Sequence, residues 1–440
     1  MEKVAGLLAD LASGSERSQD YWERARRTIM NGTHTYGRSA DQGIGNGIPV
    51  FIAKALNSRL RDVDGREYVD LTAGLGSILL GYNYPPVIRA VREQLTQGTF
   101  TGITHILEVE LAEAFRDVVP GAEMVRFFKS GAEAVSAAVR IARAFTRKHF
   151  IIKLSYHGWH DWSMVLSRRN AGIPPVLERY VGTARYNDIE SVERLCGEHG
   201  NETAAIVMEP VTFDPPADNF LQRVRELCDR RGILVIYDET LTGGRFAPGG
   251  AQEYFQCIPD LSVFGKSVAN GMPLSILAGR ADVMREVEDK VFISSTFSGE
   301  LLSLVSMAAV LKVLKRKGTI PRIWEKGERL RNILNGAFDG EPHLRGRVRV
   351  AGYPPRLRFQ FEGFNPDRVD KLIPFMLLFA RSKGVLLSQN IFPMLSHQEN
   401  DFKRISVMAR ELAPLLGEFA AGAPWPPLLK DMRFEPVLGL

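Results

Sequence analysis

Cysteine is scarce in this chain and scattered through it. Its three copies, Cys196, Cys228 and Cys257, show neither metal-ligand spacing nor a disulfide framework, which points to a reducing compartment and makes the cytoplasm the expected location. The eight histidines form no HxxxH or HxH pair, and His157 with His160 alone do not make a metal site. No apolar run approaches the roughly 18 residues a membrane span needs, and Met1 to Asp20 lacks a signal-peptide core. No strand–GxGxxG–helix unit is present, which sets aside a nicotinamide dehydrogenase. Repeats and low-complexity tracts are missing too. Charge of one sign is never concentrated. The net charge is +5, and the denser basic stretches (Arg24 to Arg27, Lys312 to Lys317, Arg345 to Arg349) are short enough to read as solvated faces. Neither a nucleic acid nor a membrane is an expected partner.

What is present describes an enzyme-sized α/β protein. The chain has 440 residues, 45% of them hydrophobic, enough for one large domain and a smaller one. Glu2 to Met30 patterns as an amphipathic helix, Asn31 to Pro49 as a glycine-rich irregular segment, and Phe51 to Asp70 as a two-stranded ribbon turning at Asp64-Gly65. From about 105 to 280, helices alternate with almost wholly apolar short runs: Val125–Phe128, Phe150–Leu154, Ala204–Glu209, Ile233–Asp238, Leu261–Gly265 and Ser275–Ala278. Strands apolar on both sides are covered on both faces, so a mainly parallel sheet is expected. Long helices follow over Leu301–Lys317 and Pro321–Phe338, then short strands at Arg347–Val350, Arg356–Phe361 and Val385–Leu387. The expected division is an N-terminal segment 1–75, a large domain 76–330 and a C-terminal small α/β domain 331–440, the two outer segments making the smaller domain.

The chemistry lies at the ends of those strands. Lys266 closes the run Leu261 to Gly265 and is followed by small, turn-forming residues. A lysine delivered into a cavity loses solvation, its pKa tends to fall, and a neutral amine can form a Schiff base with a carbonyl. The run Ile233 to Tyr237 ends in Asp238-Glu239, and an acid there can hold a pyridinium proton. Met124 to Phe128 leads through Lys129 into Ser130-Gly131 and an alanine-rich helical stretch, Glu133 to Phe145. A helix start offers free N–H groups to an anion, and glycine lets a phosphate come close. An aldehyde-binding lysine, a strand-end acid and a phosphate-binding turn together are what pyridoxal phosphate requires. Singly, each has a plainer explanation: a snorkelling lysine, a turn acid, a serine cap. Ligands in such sheets sit beyond the carboxyl ends of the strands, where Ser130, Tyr156, Glu209, Asp238 and Lys266 all fall.

On these residues the chain resembles the class III aminotransferases of fold type I, and within them the glutamate-1-semialdehyde 2,1-aminomutase branch. The resemblance covers roughly Pro49 to Val407. It rests on Leu60 to Asp70, Leu80-Gly81-Tyr82-Asn83-Tyr84-Pro85, Ser130-Gly131, Tyr156-His157-Gly158, Glu209-Pro210, Asp238-Glu239, Phe264-Gly265-Lys266 and Ser295-Thr296-Phe297-Ser298-Gly299. It implies a seven-stranded, mainly parallel sheet and a homodimer with shared active sites. By position, Lys266 would form the Schiff base and shuttle the proton, Asp238 would pair with the pyridinium nitrogen, and Tyr156 would cover one ring face. Ser130, Gly131 and the Ala132 backbone would hold the phosphate, with Thr296 donated by a neighbouring subunit. Glu209 would support the ring, and His157 belongs to the same cofactor-binding set. Arg38 lies where relatives place a carboxylate-binding arginine, and Trp159 and His160 could face a bulky polar acceptor such as a sugar.

The chain departs from that pattern at four places. Ala132 stands where relatives carry a threonine or serine hydroxyl, and Lys129 replaces an asparagine, adding charge near the phosphate or facing solvent. The stretch from Trp159 to Tyr180 is more compact than the mutase gating loop. Ile391-Phe392-Pro393-Met394 lacks the glutamate of the mutase segment. A mutase retains its intermediate behind a closed lid, whereas a transaminase exchanges substrates. The compact loop therefore favours an aminotransferase acting on an amino donor and a keto or aldehyde acceptor. An intramolecular aminomutase, another pyridoxal phosphate reaction such as decarboxylation, and a binding homologue without turnover are the alternatives.

Overall fold

The computed structural model describes residues 2–39 and 48–425, as two compact units. One combines the chain up to Tyr84 with the chain from Pro321 onward; the other runs from Pro85 to Ile320.

The first unit begins with two helices, Glu2–Ser13 and Glu16–Thr28, where the sequence pattern reads as one. The break follows from Arg66. Its guanidinium donates to the carbonyls of Leu11 and Asp10, both at 3.0 Å, and a Cβ on Gly14 would come within 2.2 Å of Arg66 Nη2. Of the glycine-rich segment, 31–39 holds two short 3₁₀ turns, and residues 40–47 lie outside the described residues. Next come β1 (Ile52–Leu56), β2 (Arg59–Asp62) and β3 (Glu67–Asp70), so the expected two-stranded ribbon has three strands. The additional turn is at Asn57, whose φ of 55° is one that asparagine tolerates.

The Pro85–Ile320 unit is built on a seven-stranded sheet: β4 (Met124–Phe128), β5 (Phe150–Lys153), β6 (Val181–Thr183), β7 (Thr203–Met208), β8 (Leu234–Glu239), β9 (Leu261–Phe264) and β10 (Ser275–Gly279). Its order is β4-β10-β9-β8-β7-β5-β6, and β10 alone runs against the others. Side chains alternate between two buried layers, as a pleated strand requires. Ala205, Val207 and Ile236 pack with the Gly131–Thr146 helix on one face. Ile206, Met208, Val235 and Tyr237 pack on the other with the helices Ile189–Glu198 and Phe220–Arg231. The edge strand β6 is absent from the sequence reading because three residues, Val-Gly-Thr, carry no usable period.

The remainder of the first unit follows: β11 (Val348–Tyr353), β12 (Arg356–Phe361), the helix Pro366–Ser382, β13 (Val385–Leu386), β14 (Asn390–Ile391) and the helix Glu399–Ala421. β13 pairs in parallel with β3, which makes a four-stranded sheet from segments more than 300 residues apart, and β14 joins β12. Its core gathers Leu330, Leu334, Phe338, Phe359, Phe375, Met376, Ile405 and Leu412, all at most 1% exposed. Among the described residues, no helix is long and apolar enough to cross a membrane.

The tightest approach in this unit is at Gly327 of the helix Thr319–Asp339, where an added Cβ would fall 1.8 Å from the Pro354 carbonyl. Gly327→Ala should therefore destabilise the protein by about 1–3 kcal/mol, despite alanine's better helix propensity. A lowered thermal unfolding midpoint checks this; an unchanged or raised midpoint contradicts it.

Candidate active site

Five parallel strands present their carboxyl ends along one edge of the sheet, and the residues singled out from the sequence follow those ends. Ser130 comes two residues after β4, Tyr156 three after β5, Glu209 directly after β7 and Lys266 two after β9, while Asp238 is the penultimate residue of β8.

The segment bearing Lys266 has little freedom. A Cβ on Gly265 would lie 2.9 Å from Ser275 Oγ and 3.2 Å from Thr240 Cγ2, so only glycine fits before the lysine. Lys266 itself has φ 47°, in the left-handed region that side chains avoid at a cost of about 1–2 kcal/mol. The following turn is fixed by Ser267 Oγ donating to the Gly243 carbonyl and Ser306 Oγ to that of Ala269, each at 2.7 Å. Lys266 is half-buried among wholly buried neighbours. Backbone strain of this kind, with surroundings bonded to enforce it, is found clustered at active sites.

Asp238 and Glu239 take opposite roles, as successive residues on a pleat must. Glu239 points into the unit, where Thr242 Oγ1 donates to it and the N–H groups of Ala251 and Gln252 each donate at 2.8 Å. It caps the short helix Ala251–Phe255, and burial, partly offset by those bonds, pushes its carboxyl up to about 7. Asp238, 7% exposed, is bonded by His157 Nδ1 at 2.9 Å and by the Thr240 N–H at 3.1 Å. Burial works against its charge, yet the His157 and Thr240 bonds hold the carboxyl below the usual aspartate range. His157 is fully buried, and its Nε2 lies 3.1 Å from Ser155 Oγ. This pairing spans 81 positions and is invisible in the sequence.

Ser130 is the N-cap of the Gly131–Thr146 helix in a reciprocal box with Glu133. Its hydroxyl accepts from the Glu133 N–H at 3.3 Å, and the Glu133 carboxylate accepts from the Ser130 N–H at 2.9 Å. That cap leaves the N–H groups of Gly131 and Ala132 for an anion. A Cβ on Gly131 would sit 3.1 Å from Thr240 Oγ1, a buried hydroxyl beside the Asp238 carboxyl. Thr240, wedged between Gly131 and Gly265, was not singled out from the sequence, although its place directly after the Asp-Glu pair is a usable signal. Lys129 neither faces solvent nor adds a free charge: it is ion-paired with Glu300 at 2.9 Å, which caps the helix Leu301–Leu314.

Tyr156 stands at the rim, 41% exposed, its hydroxyl held above the ordinary tyrosine value by burial and by Asp238. Gly158, at φ 99°, closes on the helix start, since a Cβ there would lie 2.6 Å from that of Ala132. Trp159 is 71% exposed, whereas His160 Nδ1 is 2.7 Å from Ser136 Oγ, which also accepts from Trp162 Nε1 at 2.9 Å. Glu209 is half-buried and Thr296 exposed. Arg38 belongs to the other unit, exposed on its own turn with Nη2 donating to Thr35 Oγ1 at 2.8 Å.

Comparison with known proteins bears on this arrangement directly. The model of the family "Aminotransferase class-III" matches residues 42–390. A glutamate-1-semialdehyde 2,1-aminomutase of Desulforamulus reducens is 37% identical over 337 residues, which cover 73% of this chain and 78% of that one. Among solved structures, the FumI protein of Sphingopyxis sp. MTA144, in its PLP internal aldimine form, superposes with a TM-score of 0.86 at 25% identity, covering 94% of this chain and all of the other. A β-phenylalanine aminotransferase of Variovorax paradoxus gives a TM-score of 0.82 at 25% identity over 96% and 99% of the two chains. The chain belongs to the class III aminotransferases. It is a pyridoxal phosphate enzyme of fold type I, with the expected mostly parallel seven-stranded sheet.

The His157–Asp238 bond makes a prediction about acid. Asp238 has a depressed pKa, so its charge persists above that low value and is lost as the pH falls through it. In His157→Phe only the Thr240 bond opposes burial, so the pKa rises. The acid limb of cofactor retention, followed by absorbance after gel filtration, should move to higher pH in that variant. An unmoved limb would mean that His157 does not hold the charge.

Proposed function

We propose that this enzyme is an intermolecular transaminase, moving an amino group from an amino-acid or amine donor to a separate keto or aldehyde acceptor. The observation that carries this reading is how firmly the segment after β5 is fastened. The Ser163 carbonyl accepts from the buried Lys153 amine at 2.6 Å, and Asn170 Nδ2 holds the Val165 carbonyl at 2.9 Å. His160 and Trp162 meet on Ser136 of the neighbouring helix, and Val165 is 1% exposed. Burial lowers the pKa of Lys153, the strand residue whose amine anchors the strap at Ser163. A fastened segment is poorly suited to opening and closing over a retained intermediate, but it leaves the approach free for one product to depart and another substrate to enter. The second reading, an aminomutase of the glutamate-1-semialdehyde type, is favoured by the activity named for the 37%-identical relative.

Pyridoxal phosphate supplies an aldehyde that condenses with amines and a ring that stores the electrons of the substrate's α-carbon bond. The residues suit it: two helix N–H groups and a buried threonine hydroxyl beside a glycine for the phosphate, and a buried carboxylate kept charged for a cationic ring nitrogen. In this reading Lys266 Nζ would bind the aldehyde and carry the proton taken from the substrate α-carbon. Asp238 would accept a hydrogen bond from the ring nitrogen and favour its protonated form. Ser130, Gly131 and Ala132 hold the phosphate, while Tyr156 covers the ring and shields it from water. Glu209 and His157 complete the surround, and Arg38, Trp159 and His160 are the candidate substrate contacts.

A homodimer completes the proposal, with Thr296 of one subunit serving the phosphate of the other. Its support is the exposure of Thr296 beside Phe297, together with Phe100, Ile103, Ile106, Val109 and Phe292, which are 40–85% exposed. Three buried free thiols support a reducing, cytoplasmic setting.

Two experiments test the reading. Lys266→Ala should lower turnover by at least about 10²–10⁴-fold; near-normal turnover would remove the lysine from the chemistry. Wild-type enzyme given an amino donor without an acceptor should release one keto product per subunit and then stop. If no free keto product appears while an amino aldehyde is isomerised, the mutase reading replaces this one.

A further inference from the structure

The first unit contains a mainly apolar chamber of about 480 Å³, lined by Trp22, Phe51, Leu60, Leu75, Tyr82 and Leu386 among others. Trp22, Leu60 and Leu386 are buried. Glycine at position 32 is what admits the indole, since a Cβ there would fall 2.3 Å from the Trp22 ring. The basic groups in the lining are His34 and Arg38, both exposed, and no acid is among its described residues. Arg38 donates to Thr35 Oγ1 and has no ion-pair partner among the described residues.

One wall of the chamber is held under strain. Ala73, Gly74 and Leu75 have φ of 47°, 57° and 58°, three left-handed residues in a row, which only the glycine adopts freely. Gly74 and Leu75 line the chamber. The turn is fastened from the wholly buried Asp70. Its Oδ1 accepts from the Thr72 N–H at 2.8 Å and the Thr72 hydroxyl at 2.7 Å, and its Oδ2 from the Tyr82 hydroxyl at 2.7 Å. Ser77 Oγ donates to the Gly74 carbonyl at 2.6 Å. Leu75 is thereby set beside the Tyr36–Arg38 turn: a Cβ on Gly37 would lie 3.6 Å from Leu75 Cδ2. Strain enforced in this way clusters at active sites and ligand clamps.

A pocket of this size, apolar with a few polar groups, suits a small organic molecule. Basic groups without an acid favour an anion, and an unpaired guanidinium fork matches a carboxylate. We propose that the chamber binds a small organic acid with a bulky apolar group, an aryl or branched alkyl carboxylate. The apolar group lies among Trp22, Phe51, Leu60 and Leu386, and the carboxylate toward His34 and Arg38. This chemistry belongs equally to a substrate and to a separate effector; only the substrate case rests on the transaminase reading, in which Arg38 is a candidate contact.

The test titrates 4-phenylbutyrate calorimetrically into full-length enzyme saturated with pyridoxal phosphate. The probe has no amine and does not condense with the cofactor aldehyde. One saturable site per subunit is expected, with butyrate, which lacks the ring, at least about tenfold weaker. Ala55→Phe places a ring in the chamber from the strand Ile52–Leu56, where aromatic residues are favoured, and should weaken binding about tenfold or more. Arg38→Gln changes an exposed side chain and therefore reports even if the strand variant folds poorly. It should weaken phenylbutyrate several-fold and leave binding of the neutral amide, 4-phenylbutyramide, unchanged. Competition with the amino donor during turnover assigns the chamber to a substrate, and binding without competition assigns it to an effector. No saturable binding, equal affinity for butyrate, or binding that survives either substitution unchanged overturns the proposal. Because the titration involves no turnover, that failure is separate from failure of the transaminase reading, which the release of keto product decides.

Discussion

The hydrogen bond between His157 and Asp238 is the interaction on which the rest of the site depends. A carboxylate at the end of a central strand, buried on all sides, ordinarily takes up a proton. Here the imidazole of a residue from another strand end, and one backbone N–H, outweigh the cost of burial and keep it charged. A charged Asp238 suits a cationic ring nitrogen; a neutral one would leave the ring a poor store for electrons. The adjacent Glu239 shows the contrast. Equally buried and bonded to the start of a helix, it is pushed up to about 7 and serves the fold. Two neighbouring acids on one strand are separated in function by the pleat alone.

The second constraint is geometric. Gly131, Gly158 and Gly265 mark three places where backbone comes tight against a neighbour: Thr240 at Gly131, Ala132 at Gly158, and Ser275 and Thr240 at Gly265. These contacts draw the starts of three strand-end segments together, and the strained φ of Lys266 is tolerated because the turn after it is bonded at both ends. Hydrogen bonds likewise fasten the stretch from His160 to Asn170. The class of enzyme is thus carried by the centre of the sheet, while the choice between exchanging substrates and retaining an intermediate is argued from how that strap is fastened.

Much of this was legible in the chain. Apolar runs of four to six residues gave the sheet and its parallel sense, because strands covered on both faces have no polar side to blur the pattern. Lys266, Asp238, Ser130 and Tyr156 stood out because each is a reactive or polar residue at the end of such a run. Other parts were hidden for physical reasons. β6 and β14 have three and two residues, too short for a period, whereas β13 falls inside the expected run Val385–Leu387. The extra turn at Asn57 and the helix break at Gly14 depend on contacts with distant residues. Partnerships such as His157 with Asp238 and Lys129 with Glu300 belong to three dimensions and leave no trace in spacing.

The account stands on the ionised state of Asp238 and the protonated ring nitrogen it implies. The direct measurement is the nitrogen chemical shift of enzyme loaded with pyridoxal phosphate labelled with ¹⁵N in its ring, followed from neutral to alkaline pH. A shift characteristic of a protonated pyridine, persisting well above the titration of the free cofactor and lost in Asp238→Asn, is the predicted result. A shift characteristic of a neutral ring in the wild-type enzyme would contradict the account at its centre.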